Sequence, residues 1–298
     1  MLNYRSAKRV LKTLEIDLIH CNDSRMNRTW APWAKAAGIP MVWHQRAKWI
    51  PSRQAKASIK FASATISISH FVSTTAPTIP IPNFTIYNPV SIPGTEIDKI
   101  DCSRKLRVKL GLSNECKLVG CFGNSQRWKR PDTFFHAARL LQKQFPRKSK
   151  FIWCGDDRDG ILDRLIESTS PNSPAFRLPF QSNVLSIMAG CDIIIAPSEG
   201  EPFGRTLVEA MSVGVPVVAS NSGGHVEIVK DELNGLLFPV GDYQACVAAI
   251  LRLFSENHLY QRIVNNAKKS IVVFDPDEHA RKIFNVYNLL LQRSKQYS

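Results

Sequence analysis

Two glutamates flank the expected start of a helix in residues 197–211, which read P-S-E-G-E-P-F-G-R-T-L-V-E-A-M. The apolar run 193–196 comes directly before them, so the pattern predicts a strand, a loop and a helix. Free N–H groups at the start of a helix, here about residues 203–206, favour a phosphate. Glu201 falls in the loop. Glu209 falls about two turns inside the helix among apolar residues, where a carboxylate is costly unless it is paired. The segment therefore suits a phosphorylated ligand.

We expect the loop to end at Pro202, where the helix enters. The same residues also allow a structural interpretation, in which Arg205 pairs with Glu209 four residues later and Glu201 is a favourable charge near the helix start. A second glycine-rich turn, S-N-S-G-G at 220–224, follows the next predicted strand. Ligands of open α/β sheets bind at the carboxyl ends of the strands. Two such turns after neighbouring strands favour a binding site over the purely structural interpretation.

The run P-S-x-x-E-P-F-G-x-x-x-x-E-A-M-x-x-G-x-P-V-V-A-S-x-x-G-G, residues 197–224, resembles the donor-site signature of group 1 (family 4) retaining glycosyltransferases. Weaker similarities are D-L-I-H at 17–20, G-I-P-M-V at 38–42, N-P-V at 88–90 and N-G-L-L at 234–237. The resemblance covers about residues 15–256 and is strong only after 117. It implies a GT-B fold, an α/β architecture of two Rossmann-like doubly wound domains, and transfer of a sugar from a nucleoside diphosphate.

The resemblance also implies roles for single residues. Glu201 would contact the hydroxyls of the donor sugar, and Glu209 would hold the ribose hydroxyls. Lys129 matches a lysine that neutralises the diphosphate, in a loop that reads G-N-S-Q-R-W-K-R-P-D and has Asn124 where the family usually has arginine. Arg127 is the candidate to supply that missing charge. The implied donor contacts are Gly123, Arg127, Lys129, Glu201, Phe203, Gly204, Thr206, Leu207 and Glu209, and the implied catalytic residues are His44, Glu201 and Lys129.

His44 ends a predicted strand, where a histidine is equally often structural, so both interpretations of it stay open. The expected chemistry needs no metal, because Lys129, Arg127 or Arg130 and the helix start can stabilise the charge that develops on the leaving diphosphate. No D-x-D motif stands where it would demand Mg²⁺. We therefore expect no metal and no cofactor besides the nucleotide sugar, which is a co-substrate. Retention of configuration is implied by the resemblance alone.

Alternating helical and strand-like stretches over 298 residues predict parallel sheets in two domains. We expect a partial, Rossmann-like acceptor-side domain over 1–95, a donor-binding domain over 96–275, and a terminal helix over 276–298 that packs back across the domains. The first domain is short and lacks the family's usual opening strand and glycine-rich loop. We therefore expect a truncated amino terminus, from a misassigned start, a remnant gene or a partner that completes the sheet.

The net charge of +14 is concentrated at the amino end, where residues 1–60 hold twelve Lys and Arg but three acids. Four of the six tryptophans also lie there, a mixture typical of membrane-interface or carbohydrate-facing surfaces and also of base stacking. No nucleic-acid motif accompanies it, so we expect no nucleic-acid partner. Seven scattered cysteines and the lack of a spanning apolar run predict a cytoplasmic protein. The basic amino end predicts an anionic membrane surface as a partner, with peripheral attachment to the inner face of the cytoplasmic membrane.

The leading hypothesis is a hexosyltransferase that moves a sugar from a nucleotide sugar to a glycan or lipid-linked glycan in cell-envelope polysaccharide or lipopolysaccharide synthesis. One alternative is an inactive remnant that only binds nucleotide. Another is a nucleotide-sugar epimerase of related fold, against which the signature from Glu201 to Glu209 argues. The charge also allows a basic nucleic-acid-binding protein, which no motif supports.

Overall fold

The computed structural model describes residues 4–92, 94, 97–145 and 148–296. The chain divides into two compact units, one made of Met1–Pro89 with Pro276–Ser298 and the other of Val90–Asp275. Both contain parallel sheets alternating with helices, so the predicted α/β class is confirmed. The terminal helix belongs to the first unit.

In chain order the described strands are β1 (Ile19–Cys21), β2 (Met41–Gln45), β3 (Ala64–Ser67), β4 (Asn83–Thr85), β5 (Lys117–Phe122), β6 (Ser149–Cys154), β7 (Ala175–Leu178), β8 (Ile193–Ala196), β9 (Val217–Ser220) and β10 (Leu236–Phe238). The described helices are α1 (Tyr4–Thr13), α2 (Ser24–Ala37), α3 (Arg53–Ile59), α4 (His70–Thr75), α5 (Lys99–Lys109), α6 (Pro131–Gln144), α7 (Ile161–Glu167), α8 (Val184–Ala189), α9 (Arg205–Ser212), α10 (His225–Ile228), α11 (Tyr243–Ser255), α12 (Asn257–Ser270) and α13 (Pro276–Gln296). Short 3₁₀ turns lie at Arg127–Lys129 and Ile271–Phe274.

The first unit is built on a four-stranded parallel sheet in the order β1-β2-β3-β4. Successive side chains of a strand point to opposite faces. Met41 and Trp43 pack with residues of α2 and α3, whereas Val42 packs with Ile66 and with Val286 of α13. Helix α13 therefore covers the face of the sheet opposite to α2 and α3.

Three tryptophans of residues 1–60 lie in the apolar core of this unit or pack against it. Trp43 is 1% exposed, and Trp30 and Trp49 pack against the same apolar cluster. The interface interpretation therefore does not hold for Trp43, whereas Trp30 and Trp49 keep part of their surface exposed. Apolar packing wins because β2 has both faces covered.

The second unit has a six-stranded parallel sheet in the order β10-β9-β8-β5-β6-β7. From β5 the chain proceeds outward through β6 and β7, then returns to place β8 on the other side of β5. This is the doubly wound order that the sequence predicts, with its topological switch point between β5 and β8. Val119, Trp153 and Ile193 pack under α6 and α11, and the alternate residues Leu118 and Ile194 are also buried. The loops after β5 and β8 meet at the switch point.

Within the described ranges, no helix is long and apolar enough to cross a lipid bilayer.

Candidate active site

Lys129 and Glu201 come together at the switch point of the second unit. Lys129 ends the 3₁₀ turn that follows β5, and Glu201 lies in the loop that follows β8. The Lys129 Nζ is 2.5 Å from the Glu201 Oε2, and the two side chains are only 16% and 13% exposed. The backbone N–H of Glu199 donates to the carbonyl of Trp128, which ties the two loops together. A cation suited to a diphosphate thus lies beside a carboxylate suited to sugar hydroxyls.

Helix α9 begins at Arg205, three residues after the predicted entry at Pro202, so that prediction is wrong. Its N-cap is Gly204, whose φ of +108° a residue with a side chain rarely adopts. The N–H of Leu207 donates to the Gly204 carbonyl, and the Leu207 side chain is buried, so this residue offers a ligand no free polar group. The first-turn N–H groups of Arg205 and Thr206 have no acceptor within the helix. These two N–H groups are the ones that the first turn of α9 offers to an anion.

Phe203, another expected donor contact, directs its ring into the core. The side chain is 2% exposed and meets Phe274 edge to face, with the ring centroids 5.5 Å apart. The ring of Phe203 is therefore part of the core of the second unit.

Glu209 lies about one turn inside α9, since the helix starts later than predicted. Its Oε1 accepts a hydrogen bond of 2.9 Å from Arg205 Nη2, so the pair of the structural interpretation does form. The Glu209 side chain is 16% exposed and that of Arg205 is 64% exposed. Arg205 can therefore swing away into water while the carboxylate stays in place for another partner.

The turn after β9 fixes the loop that carries Glu201. The N–H of Gly224 donates to the Glu201 carbonyl at 2.7 Å, and the N–H of Gly200 donates to the Ser222 hydroxyl at 2.9 Å. A Cβ on Gly223, whose φ is +62°, would come within 2.5 Å of the Glu201 carbonyl oxygen. Because only glycine permits this close approach, the turn at 220–224 packs against the loop that carries Glu201 and holds it in place.

Ser220 and His225 form a buried polar cluster beside the two turns, which the sequence did not predict. The Ser220 hydroxyl donates to the Ser198 carbonyl and lies 3.1 Å from His225 Nδ1. Burial lowers the pKa of His225 to about 4, so the ring is neutral at pH 7. The only signal in the sequence was that these polar residues directly follow an apolar strand.

The loop after β5 is held by its neighbour strand. Trp153 Nε1 donates to the Gly123 carbonyl at 2.7 Å, and Gly155 approaches Gly123 so closely that a Cβ would overlap that oxygen. Arg127 is exposed, and its N–H donates to an Asp159 carboxylate oxygen at 2.7 Å. Arg127 lies in the same 3₁₀ turn as Lys129, so it stays the candidate for the expected second cation.

Arg130, the other candidate for that charge, is engaged by two carboxylates. Its guanidinium lies 2.8 Å from Asp132 and 3.6 Å from Glu199. The hydrogen bonds to Asp132 raise the pKa of Arg130 and keep its charge committed there. Arg127 is therefore the better candidate.

His44 lies in the first unit, at the end of β2 on the face that α13 covers. It is buried, and its Nδ1 is 3.1 Å from His20 Nε2. His20 Nδ1 in turn is 2.7 Å from the Tyr287 hydroxyl. Burial, with the positive charge of Arg46, lowers the pKa of His44 to about 3. His44 is therefore a neutral, hydrogen-bonded imidazole.

In the part of the chain that the structure describes, no group of three His, Cys, Asp or Glu side chains is placed to hold a metal ion. A reaction without metal stays a prediction.

Residues 103–270 match the family model of the group 1 glycosyl transferases, which is more than half of the chain. The chain belongs to this family. The matched residues include every expected donor contact, from the loop after β5 to helix α9.

Relatives of this chain include two prokaryotic proteins. The D-inositol 3-phosphate glycosyltransferase of Corynebacterium urealyticum is 27% identical over 215 residues, which cover 67% of this chain and 51% of that protein. An uncharacterized glycosyltransferase of Methanocaldococcus jannaschii is 27% identical over 188 residues, covering 62% of this chain and 48% of that protein. The chain thus spans about half the length of these curated relatives.

Solved structures extend the similarity to nearly the whole chain. Anabaena Alr3699/HepE, crystallised with UDP and glucose, matches with a TM-score of 0.83 and 27% identity, over 95% of this chain and 81% of that one. Sucrose-phosphate synthase from Thermosynechococcus elongatus matches in fold with a TM-score of 0.79 and 20% identity, over 97% and 77% of the respective chains. The predicted GT-B fold is confirmed.

Proposed function

We propose that this glycosyltransferase moves a hexosyl group from a nucleoside diphosphate sugar to a glycan or lipid-linked glycan, with retention of anomeric configuration, in cell-envelope polysaccharide or lipopolysaccharide synthesis. The observation that carries the proposal is the Lys129–Glu201 pair at the switch point of the donor unit. Such pairs of opposite charge at the carboxyl edge of a parallel sheet suit a ligand with both phosphates and hydroxyls.

Each side chain has a part in this reaction. Lys129, Arg127 and the first-turn N–H groups of α9 stabilise the charge that grows on the departing diphosphate, a form of electrostatic stabilisation that needs no metal. Glu201 accepts hydrogen bonds from the sugar hydroxyls. Glu209 exchanges Arg205 for the ribose hydroxyls. A catalytic part for His44 is proposed on the family resemblance alone.

UDP-glucose is the donor to test first, because the Anabaena protein, 27% identical over most of this chain, was crystallised with UDP and with UDP-glucose. Calorimetry on the full chain with UDP, GDP and ADP should give binding by UDP at micromolar to millimolar concentration. No binding by any of the three at millimolar concentration rejects the proposal. Binding of UDP-glucose without transfer or hydrolysis would favour the remnant, and inversion at a sugar carbon without transfer would favour the epimerase.

The acceptor proposal includes a membrane surface. Helices α2 and α3 pack on the same face of the sheet, and their outward sides carry the basic surface, a set of exposed cations: Arg25, Arg28, Lys35, Arg53, Lys56 and the adjacent Lys60. Each cation near an anionic bilayer contributes about 1 kcal/mol. We propose peripheral binding of this surface to the inner face of the cytoplasmic membrane.

Sedimentation with vesicles tests the basic surface. The chain should sediment with anionic but not with zwitterionic vesicles, and high salt should release it. Serine at Arg25, Arg28, Arg53 and Lys56 should weaken binding by about fivefold per charge. The matched control places serine at four exposed cations of the second unit, Arg139, Lys143, Arg262 and Lys269, and should bind as the original chain does. Equal loss in both variants would exclude a specific surface.

A further inference from the structure

A cavity of about 290 Å³ lies within the first unit, lined by residues of its sheet, of α3 and α4, and of the loop after α4. All of these residues belong to the first unit. Small-molecule sites commonly occupy about 300–1,000 Å³, so this volume suits a ligand of one ring. We propose that the cavity binds one ring of a neutral sugar. The proposal goes beyond the donor site, because no residue of the donor unit takes part in it.

Gln45 and Ser67 form a buried polar floor of the cavity, and each of these residues is only 1% exposed. They are partners in the parallel register of β2 and β3. Because paired residues of neighbouring strands direct their side chains to the same face of the sheet, both side chains lie on one side of it. Neighbouring strands are about 4.8 Å apart, so a ligand of one ring can reach both residues at once.

The polar floor has hydrogen-bonding capacity that the protein leaves unused. Gln45 is fixed through its amide nitrogen, since its Nε2 lies 3.3 Å from both the Val72 carbonyl and Thr75 Oγ1. Among the described residues, no hydrogen bond is found to Gln45 Oε1 or to Ser67 Oγ. Buried polar atoms nearly always have a partner in native structures. The two atoms therefore need a partner from outside the chain.

A row of side-chain hydrogen bonds adds a second polar part to the lining. Thr65 Oγ1 donates to Asn83 Oδ1 at 2.8 Å, and Asn83 Nδ2 donates to Ser73 Oγ at 3.0 Å. Because Ser73 accepts this hydrogen bond, its own hydroxyl proton is available to a ligand oxygen. The cavity thus offers an acceptor at Gln45 and donors at Ser67 and Ser73. Sugar hydroxyls, which both donate and accept, complement this set.

The other lining residues distinguish a neutral sugar from other ligands. None of the lining residues, all of which the structure describes, has an ionisable side chain, so a phosphate or a metal ion would find no counter-charge. A wholly apolar ligand would leave the polar floor unpaired. Ile59, Pro77 and Ile79 provide an apolar lining for the C–H groups of a sugar ring. Thr74 and Thr78 are exposed, so the cavity has an opening to solvent.

Titration of the full chain with methyl α-glycosides of glucose, galactose and mannose, followed in ¹H–¹⁵N correlation spectra, tests the cavity directly. At least one of these neutral probes should give saturable shifts at millimolar concentration in the amide signals of residues 65–67 and 73–76. The methyl α-glycoside of glucuronic acid carries a carboxylate on the same ring and should bind about tenfold more weakly than that of glucose. The proposal fails if none of the neutral probes shifts these signals at tens of millimolar, if the shifts are confined to residues 199–206, or if the charged probe binds equally well.

Ser67→Ala removes one hydroxyl of the polar floor and keeps the backbone of β3. Binding of the neutral probe should weaken about fivefold, which corresponds to the loss of one hydrogen bond. Ser149→Ala is the matched control, because it removes a buried serine hydroxyl of β6 that also lacks a partner among the described residues. This control should bind the probe as the unsubstituted chain does. Equal binding by Ser67→Ala and the unsubstituted chain overturns the proposal.

Ala76→Leu fills part of the cavity with a larger side chain and leaves both residues of the polar floor unchanged. The variant should lose the shifts in these segments while its spectrum stays that of a folded protein. Binding equal to that of the unsubstituted chain would place the sugar elsewhere and reject the proposal. If either variant does not fold, the position of the shifts in the unsubstituted chain decides. None of these results requires binding or turnover of a nucleotide sugar, so failure of the proposed transfer does not affect them.

Discussion

Replacing Lys129 with methionine isolates the charge at the switch point, because methionine keeps most of the alkyl chain. Across 2.5 Å the gross Coulomb energy of the pair is about 6–7 kcal/mol at an effective dielectric constant of about 20. Removing one partner of a buried pair costs about 3–5 kcal/mol. Since Lys129 and Glu201 keep 16% and 13% exposure, water reaches the remaining carboxylate. We expect Lys129→Met to lower the free energy of unfolding by about 2–3 kcal/mol in urea denaturation.

Adding Glu201→Gln separates stability from function. The amide removes the stranded charge, so Lys129→Met/Glu201→Gln should regain most of the lost stability. It should not regain turnover, because the diphosphate still lacks its cation and the sugar hydroxyls also lose the carboxylate of Glu201. We expect kcat/KM for UDP-glucose to stay about 10²–10³-fold below that of the unsubstituted chain, the usual loss for one stabilising group. Lys143→Met, at an exposed position of α6, is the control and should change stability by less than about 0.5 kcal/mol.

Two results would refute this reasoning. If Lys129→Met turns over UDP-glucose normally while losing stability, Lys129 is a structural partner of Glu201 and nothing more. If the double variant is no more stable than Lys129→Met, the pair is not the source of the lost stability.

Three further expectations test other parts of the site. Glu209→Ala should abolish nucleotide binding in calorimetry while Arg205→Ala retains it; retained binding in both, with a loss of about 0.3–0.5 kcal/mol, would make the pair structural. Gly223→Ala should cost about 3 kcal/mol or more in thermal unfolding, because its Cβ would lie 2.5–2.8 Å from backbone atoms, whereas Gly111→Ala, with similar φ but nothing within 4 Å, should cost about 1 kcal/mol. The pKa of His44 is lowered from 6.5 to about 3 in the folded protein, so below pH 6.5 the unfolded chain takes up a proton on His44 before the folded one does. The free energy of unfolding is therefore unaffected by His44 above pH 6.5 and falls by about 1.4 kcal/mol per pH unit as the pH is lowered toward 3. Urea denaturation at several pH values between 4.5 and 7 should show that the free energy of unfolding depends less steeply on pH in His44→Gln than in the unsubstituted chain. An equal dependence on pH in both proteins would contradict the lowered pKa of His44.

The donor half of the site was predictable because it is local in sequence. Residues 193–224 form a strand, a loop, a helix, a strand and a turn in succession, and the doubly wound order brings both loops to one edge. Lys129 lies about 70 positions away from Glu201, yet its loop follows the central strand β5 and so reaches the same edge. The start of α9 was misplaced because Pro202 suits a first turn, whereas the positive φ of Gly204 delays the helix.

The buried tryptophans and the support beneath the glycine-rich turns were not predictable in this way. Residues 1–60 mix tryptophan with basic residues, and composition cannot say which side chains enter the core. Trp43 does so because β2 is central in its sheet and covered on both faces. The contact of Ser220 with His225 depends on the path of a turn, which local propensity does not specify.

The sequence by itself determined the α/β class, the doubly wound donor unit and the positions of Lys129, Glu201 and Glu209, because apolar strands followed by polar loops are local patterns. Only the tertiary structure decided the surroundings of His44. Tyr287 stands 267 positions from His20, and the two meet because α13 buries an apolar stripe against the sheet of the first unit. The contact forms because apolar area is buried, and this burial does not depend on how far apart two residues lie in the sequence. No spacing of residues in the sequence therefore predicts it.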